Sequence, residues 1–310
     1  MDRSELAWAA GFFDGEGSTI ARSFKTRPGY RQLAISLPQA GDTTSPPKVL
    51  LRFQRAMGGM GTISGPNSDG IYAWRVLGRE QVHVTLQLLW PFLSDVKREQ
   101  AARAITLVDA QYDHGAYRRR SSRSHAPAIT ADESGCGAPA LEAAWAAGFL
   151  DAEGWFGLIH VAPRVNGPDW YRLRCSASQH GAAGSPPQVL LRLRALLGGR
   201  IERHGDPDDH KWLVEGRARV ESVLKTLGPL LTDDKRGQAA RALLAFDSQT
   251  RLKGDATRCL RGHAYSRSAM KGGRVRKICD QCEAIYDARE HNKRLIALQR
   301  FEEAPLAYTV

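Results

Sequence analysis

An internal duplication constrains this chain more than any bulk property. LAWAAGFFDGEGS, starting at Leu6, returns as EAAWAAGFLDAEGWF, starting at Glu142. SPPKVLLRFQRAMGG (Ser45 to Gly59) returns as SPPQVLLRLRALLGG (Ser185 to Gly199). LSDVKREQAARA (Leu93 to Ala104) returns as LTDDKRGQAARA (Leu231 to Ala242). The spacing between copies drifts by only a few residues over the whole stretch, so the repeated unit is a domain and not a short motif.

Each copy has the same pattern. A short apolar helix carries an acidic ending. Strand-like stretches follow at Ser18 to Ala40 and Gly61 to Val76, and again at Trp155 to Gln179 and Arg200 to Val214. Between them the periodicity predicts helices over Pro47 to Met57 and Pro187 to Leu197, with proline tolerated in the first turn because its missing donor is not needed there. Further helices are expected over Arg79 to Phe92 and Ser94 to Asp109. The expected fold class is α+β: two pseudo-symmetric αββαββα domains with antiparallel saddle sheets, plus a small zinc-bound module. The expected divisions are 1–112, a basic linker at 113–139, 140–250, and a C-terminal module at 251–310.

In WAAGFFDGEG, Ala7 and Gly11 are four apart, as are Ala10 and Asp14. Small residues at that spacing let two helices approach backbone to backbone. Gly11, Asp14, Gly148 and Asp151 are therefore expected at a helix interface, with Glu16 and Glu153 facing each other at one end. Helix C-termini carry partial negative charge, so two carboxylates there concentrate negative potential. A divalent cation relieves it, and hard oxygen ligands suit Mg2+ or Mn2+.

The two copies resemble the LAGLIDADG motif of homing endonucleases, and residues from about Glu5 to Gln249 are similar to the two-motif, single-chain members of that family. The resemblance implies a metal-dependent double-strand break in duplex DNA, with Glu16 and Glu153 as catalytic metal ligands. Glu stands where Asp is more familiar, but the carboxylate is kept. It also implies that Lys97 and Lys235 lie near the scissile phosphate and that Gln39 and Gln179 position water.

Lys and Arg number 44 against 33 Asp and Glu, a formal charge of +11 that suits a polyanionic partner. Candidate DNA contacts on the strands are Arg22, Lys25, Arg27, Arg31 and Gln32 in the first copy. In the second they are His160, Arg164, Arg172, Arg174, Arg203 and Lys211. Arg31 and Gln32 are neighbours, so only one of them can point at DNA. The copies differ at these positions, which predicts a long, asymmetric site read by a monomer acting as a pseudo-dimer.

Near the end, Cys259, His263, Cys279 and Cys282 form C-x3-H-x15-C-x2-C, a donor set suited to tetrahedral Zn2+. The segment resembles the treble-clef modules of HNH-type proteins without a second His-Asn catalytic pair, so structural zinc with a DNA-contact role is expected. The remaining cysteines, Cys136 and Cys175, have no evident partners. No run is long and apolar enough to span a membrane, and the first residues lack signal-peptide order, so a cytoplasmic protein is expected. An RNA maturase, or a regulator of the same fold that binds DNA without cutting, is the alternative. A regulator is expected to have lost one of the paired acids or lysines, and both pairs are present here.

Overall fold

The computed structural model describes residues 1–42, 44–113, 138–161, 170–181, 184–253, 263–271, 274–285 and 287–288. The first repeat runs α1 (Arg3–Glu16), β1 (Ser18–Phe24), β2 (Arg27–Ala40), α2 (Lys48–Ala56), β3 (Thr62–Ser64), β4 (Ile71–Leu77), α3 (Arg79–Leu89), a 3-10 turn (Trp90–Phe92) and α4 (Asp95–Asp113). The second runs α5 (Pro139–Glu153), β5 (Gly154–Val161), β6 (Trp170–His180), α6 (Gln188–Leu197), β7 (Arg200–His204), β8 (Asp206–Glu215), α7 (Arg217–Leu227) and α8 (Asp233–Lys253). A hairpin of β9 (Arg267–Lys271) and β10 (Arg274–Ile278) follows.

Each repeat builds one four-stranded antiparallel sheet, ordered β1-β2-β4-β3 and β5-β6-β8-β7. The expected αββαββα order is present, with a further helix at the end of each copy. The second strand-like stretch of the first copy is the pair β3 and β4 around a loop. The last helix of the first copy extends beyond Asp109 to Asp113.

Burial shows which side of each sheet meets the helices. In β2, Leu33, Ile35 and Leu37 are buried on one face, and Trp74 and Val76 of β4 share it. Helix α2 packs there through Leu50 and Phe53, whose ring meets Trp74 edge-on at 4.8 Å between centroids. The opposite face carries Arg22, Gln32, Ser36 and Arg75.

α1 and α5 are different in kind. Every residue from Leu6 to Asp14 and from Ala143 to Asp151 is buried. A helix buried on all sides belongs at the centre of a molecule, and these two pack on each other. The chain divides into two compact units, Met1–Gly157 with Arg174–Ala240, and Leu158–Leu173 with Arg241–Val310. Both central helices lie in the first.

Candidate active site

The α1–α5 contact is closer than ordinary side chains allow. A Cβ on Gly11 would lie 1.9 Å from the Trp145 carbonyl oxygen, and one on Gly148 would lie 1.8 Å from that of Trp8. The backbones touch at these two glycines, which brings the helix ends together.

The first acid of each motif is held across and beside this seam. Asp14 accepts hydrogen bonds from Trp145 Nε1 (2.8 Å), Ser94 Oγ (2.8 Å) and Ser94 N (3.1 Å). Asp151 accepts from Trp8 Nε1 (2.8 Å), Thr232 Oγ1 (2.8 Å) and Thr232 N (3.1 Å). Burial pushes both carboxyls above the usual Asp value, and these hydrogen bonds oppose the shift. Each acid thus pins the start of α4 or α8 to the end of a central helix.

That pinning sets the lysines. Lys97 lies in the first turn of α4, and its Nζ donates to the Gly17 carbonyl at the end of α1 (2.5 Å). Lys235 does the same from α8 to the Gly154 carbonyl at the end of α5 (2.6 Å). A cation suits the carbonyl-rich C-terminus of a helix.

Glu16 and Glu153, the last residues of α1 and α5, are half-buried beside these ammonium groups. Burial raises the Glu16 pKa first and the Glu153 charge raises it further, while Lys97 and Lys235 pull it down. Burial likewise raises Glu153 against the same two lysines. Both lysines are pushed below the usual ammonium value, mainly by burial, with Glu16 and Glu153 acting in the other direction. Two partly desolvated carboxylates that repel one another form an oxygen donor set that fits a divalent cation.

Gln39 and Gln179 occupy equivalent positions near the ends of β2 and β6, in register with Tyr72 and His210. In both, Oε1 is buried without a hydrogen-bond partner. An acceptor buried unpaired in both copies is costly and needs a reason.

This arrangement can be compared with known proteins. The I-LtrWI LAGLIDADG homing endonuclease bound to target DNA matches with a TM-score of 0.60 at 17% identity, covering 81% of this chain and 92% of the other. The LAGLIDADG meganuclease I-AabMI bound to uncleaved DNA gives 0.59 at 16%, again covering 81% and 92%. The meganuclease I-SmaMI bound to uncleaveable DNA gives 0.51 at 17%, covering 79% and 91%. The fold is that of the LAGLIDADG homing endonucleases. No family model matches the sequence, and no curated protein does.

On this LAGLIDADG fold the expected DNA contacts divide. Arg22 and Gln32 sit opposite each other on the face of the first sheet away from the helices, and Lys211 occupies the corresponding face of the second. Lys25 lies in the exposed β1–β2 turn and Arg27 at the exposed start of β2. Arg31 falls in the Leu33 and Ile35 row, and its backbone is bonded to the Gln111 side chain. Of the neighbours Arg31 and Gln32, the glutamine therefore lies on the face away from the helices. Arg203 pairs with buried His210 in the helix-side row. Arg174 is held by Glu215 (2.6 Å), whose other oxygen takes Arg200 (2.9 Å). His160 packs on Tyr171 and Arg172 on Trp170. Arg164 lies outside the described residues.

Of the four expected zinc ligands, His263, Cys279 and Cys282 converge within 4.8 Å. Cys259 lies outside the described residues.

Sequence reasoning missed three kinds of residue. Ser94 and Thr232 hold the acids, and Arg75 lies on the open face across from Ser36. Arg52 donates to Glu5 (2.7 Å) and to the Leu230 carbonyl of the other repeat (2.7 Å), 4.0 Å above the Trp8 ring. Arg192 mirrors it on Glu142 (2.8 Å) and the Phe92 carbonyl (2.8 Å), 3.9 Å above Trp145. For the last pair a signal was available, since Glu and Arg recur at matching places in both copies (Glu5 and Arg52, Glu142 and Arg192).

Proposed function

We propose that this chain is a site-specific, divalent-metal-dependent DNA endonuclease that cuts both strands of a long asymmetric duplex site as a monomeric pseudo-dimer. The carrying observation is the seam at which Glu16 and Glu153 meet, flanked by Lys97 and Lys235. Support comes from a fold shared with proteins solved on target DNA, and from a formal charge of +11.

In this reading Glu16 and Glu153 hold Mg2+ or Mn2+. When bound, such an ion lowers the pKa of a coordinated water and stabilises the leaving oxygen of a phosphodiester. The chain's own groups do the rest. Lys97 and Lys235, steered by the helix-end carbonyls, offset negative charge as it grows on the phosphate. Gln39 and Gln179 each offer an unpaired Oε1 that accepts a proton-bearing donor such as water. Arg22, Gln32 and Lys211 project from the open sheet faces toward base edges or phosphates. The chemistry is carried out on soluble duplex in the cytoplasm. Among the described residues no helix is long and apolar enough to cross a membrane.

The test is to incubate purified protein with a randomised duplex library, with and without Mg2+, and to sequence the ends. Metal-dependent ends within one recurrent sequence are expected. DNA that is bound but uncut at every Mg2+ concentration would sink the endonuclease reading in favour of a binding protein. Uncut DNA with promoted splicing of a host RNA would favour a maturase.

A further inference from the structure

We propose that His263, Cys279 and Cys282 form a structural zinc site that folds the C-terminal segment. The hairpin explains why the three donors meet. Antiparallel register places Arg267 opposite Ile278, so the chain before β9 runs beside the chain after β10. Ser266 N donates to the Ile278 carbonyl (2.9 Å), and Asp280 N donates to Ser266 Oγ (2.9 Å). His263 enters from one side of this clasp, and Cys279 and Cys282 from the other.

The spacing of the donors suits one ion. His263 Nδ1 is 3.4 Å from Cys282 Sγ. Two ligands on one tetrahedral zinc, with Zn–N of about 2.0 Å and Zn–S of about 2.3 Å, stand roughly 3.5 Å apart.

The need for a metal follows from what the segment lacks. Among the residues of 263–288 whose side chains are described, only Cys279 is buried, while Met270, Val275 and Ile285 are exposed. A short segment with so little apolar burial among its described residues is the kind that a disulfide or a metal stabilises. Cys279, the buried member of the set, is a free thiol. Arg267 bridges to Asp280 (2.8 Å) and Glu283 (2.6 Å), but all three are solvent-exposed and such pairs contribute little. A closed set of imidazole and thiolates supplies the missing attachment.

This site does not depend on the endonuclease reading, and its test keeps the two apart. Metal analysis of the full chain is expected to find about one tightly held zinc per molecule. Exchange with Co2+ should give the visible bands of a tetrahedral thiolate site. Cys279→Ser with Cys282→Ser should lose both signals. Cys175→Ser, changing a buried thiol of β6, should keep them, as should Glu16→Gln with Glu153→Gln. The proposal is overturned if the full chain binds no zinc even after loading with excess ZnCl2, or if the double serine variant retains it. Recovery of Cys279 and Cys282 as a disulfide from freshly isolated protein would also overturn it.

Discussion

Ser94 and Thr232 show how much of the site rests on small side chains. Each turns two donors, its backbone N–H and its hydroxyl, on a buried carboxylate, and the first turn of the helix it opens carries a site lysine. Ser94→Ala removes the hydroxyl donor to Asp14, a loss of about 2 kcal/mol for a bond to a charged group. Cleavage is expected to slow roughly 10-fold or more as Lys97 shifts. Ser94→Thr should restore it, because the second repeat uses threonine at this place. Equal rates for the alanine and serine forms would separate this bond from the site. His83 supplies a prediction on stability. It is buried on α3 with neither ring nitrogen bonded. Burial, with help from Arg79, holds its pKa below the ordinary imidazole value, and Asp109 opposes this. The unfolded chain takes up a proton near pH 6.5, about the free imidazole value, before the folded one does. Stability present above that pH is therefore lost as the pH falls through the lowered folded value. The thermal midpoint should drop between about pH 7.5 and 5.5, and less so in His83→Phe. An unchanged slope in the variant would clear His83 of the effect. The acids and lysines of the site were legible in the sequence because both copies carry them. The partners of Asp14 were not, since Ser94 stands eighty residues away and only folding brings it near.

At the scale of elements, the seam and the sheets place opposite demands on sequence. The seam tolerates no bulk. Gly148→Ala would put a methyl against the Trp8 carbonyl, and overpacking of this kind costs about 1–3 kcal/mol or more. A fall of roughly 5 °C in the thermal midpoint is expected, with loss of cleavage of both strands, since both carboxylates ride on these helices. Gly184→Ala, at an open site with nothing near its Cβ, is a control for composition, though its positive φ carries a smaller strain. On the sheets, alternation decides exposure. Arg75 shares the open face with Arg22 and Gln32 and donates to Ser64 Oγ (3.3 Å). Arg75→Ala should weaken DNA binding and reduce the salt slope by about one, as expected for one lost phosphate contact. Arg31→Ala, in the helix-side row, should leave that slope nearly unchanged. A reversed order would mean that DNA lies against the other face. The helices and strands were readable from periodicity. Which face of a strand meets the helices was not, because a period of two fixes alternation but not its phase. The helix-side phase of Arg31 and Arg203 could not be read for that reason, nor could the bond of Arg174 to Glu215 on another strand.

For the whole molecule, the pseudo-twofold is close at the seam and broken on the sheets. Trp8 and Trp145, Asp14 and Asp151, and Arg52 and Arg192 exchange equivalent contacts. The open faces differ, with Arg75 where the second repeat has buried Leu213. On the proposed function, one chain would have two near-equivalent cutting halves over unlike recognition surfaces. Glu16→Gln alone should leave nicking of one strand faster than the other, read on an end-labelled duplex. Glu16→Gln with Glu153→Gln should abolish cutting while keeping DNA binding, and full activity in that double variant would remove the carboxylates from the mechanism. A palindrome made from either half-site should be a poorer substrate than the natural asymmetric site. The duplication, the α+β class, the paired acids and lysines and the His-Cys spacing follow from the sequence alone, since repetition and local period are properties of the chain. The tertiary structure alone decided that Gly11 and Gly148 let two backbones touch, that Ser94 and Thr232 anchor the lysine helices, and which basic side chains stand on the open sheet faces. Those depend on contacts between residues far apart in sequence, and no local pattern encodes which distant group arrives to use a given donor, acceptor or gap.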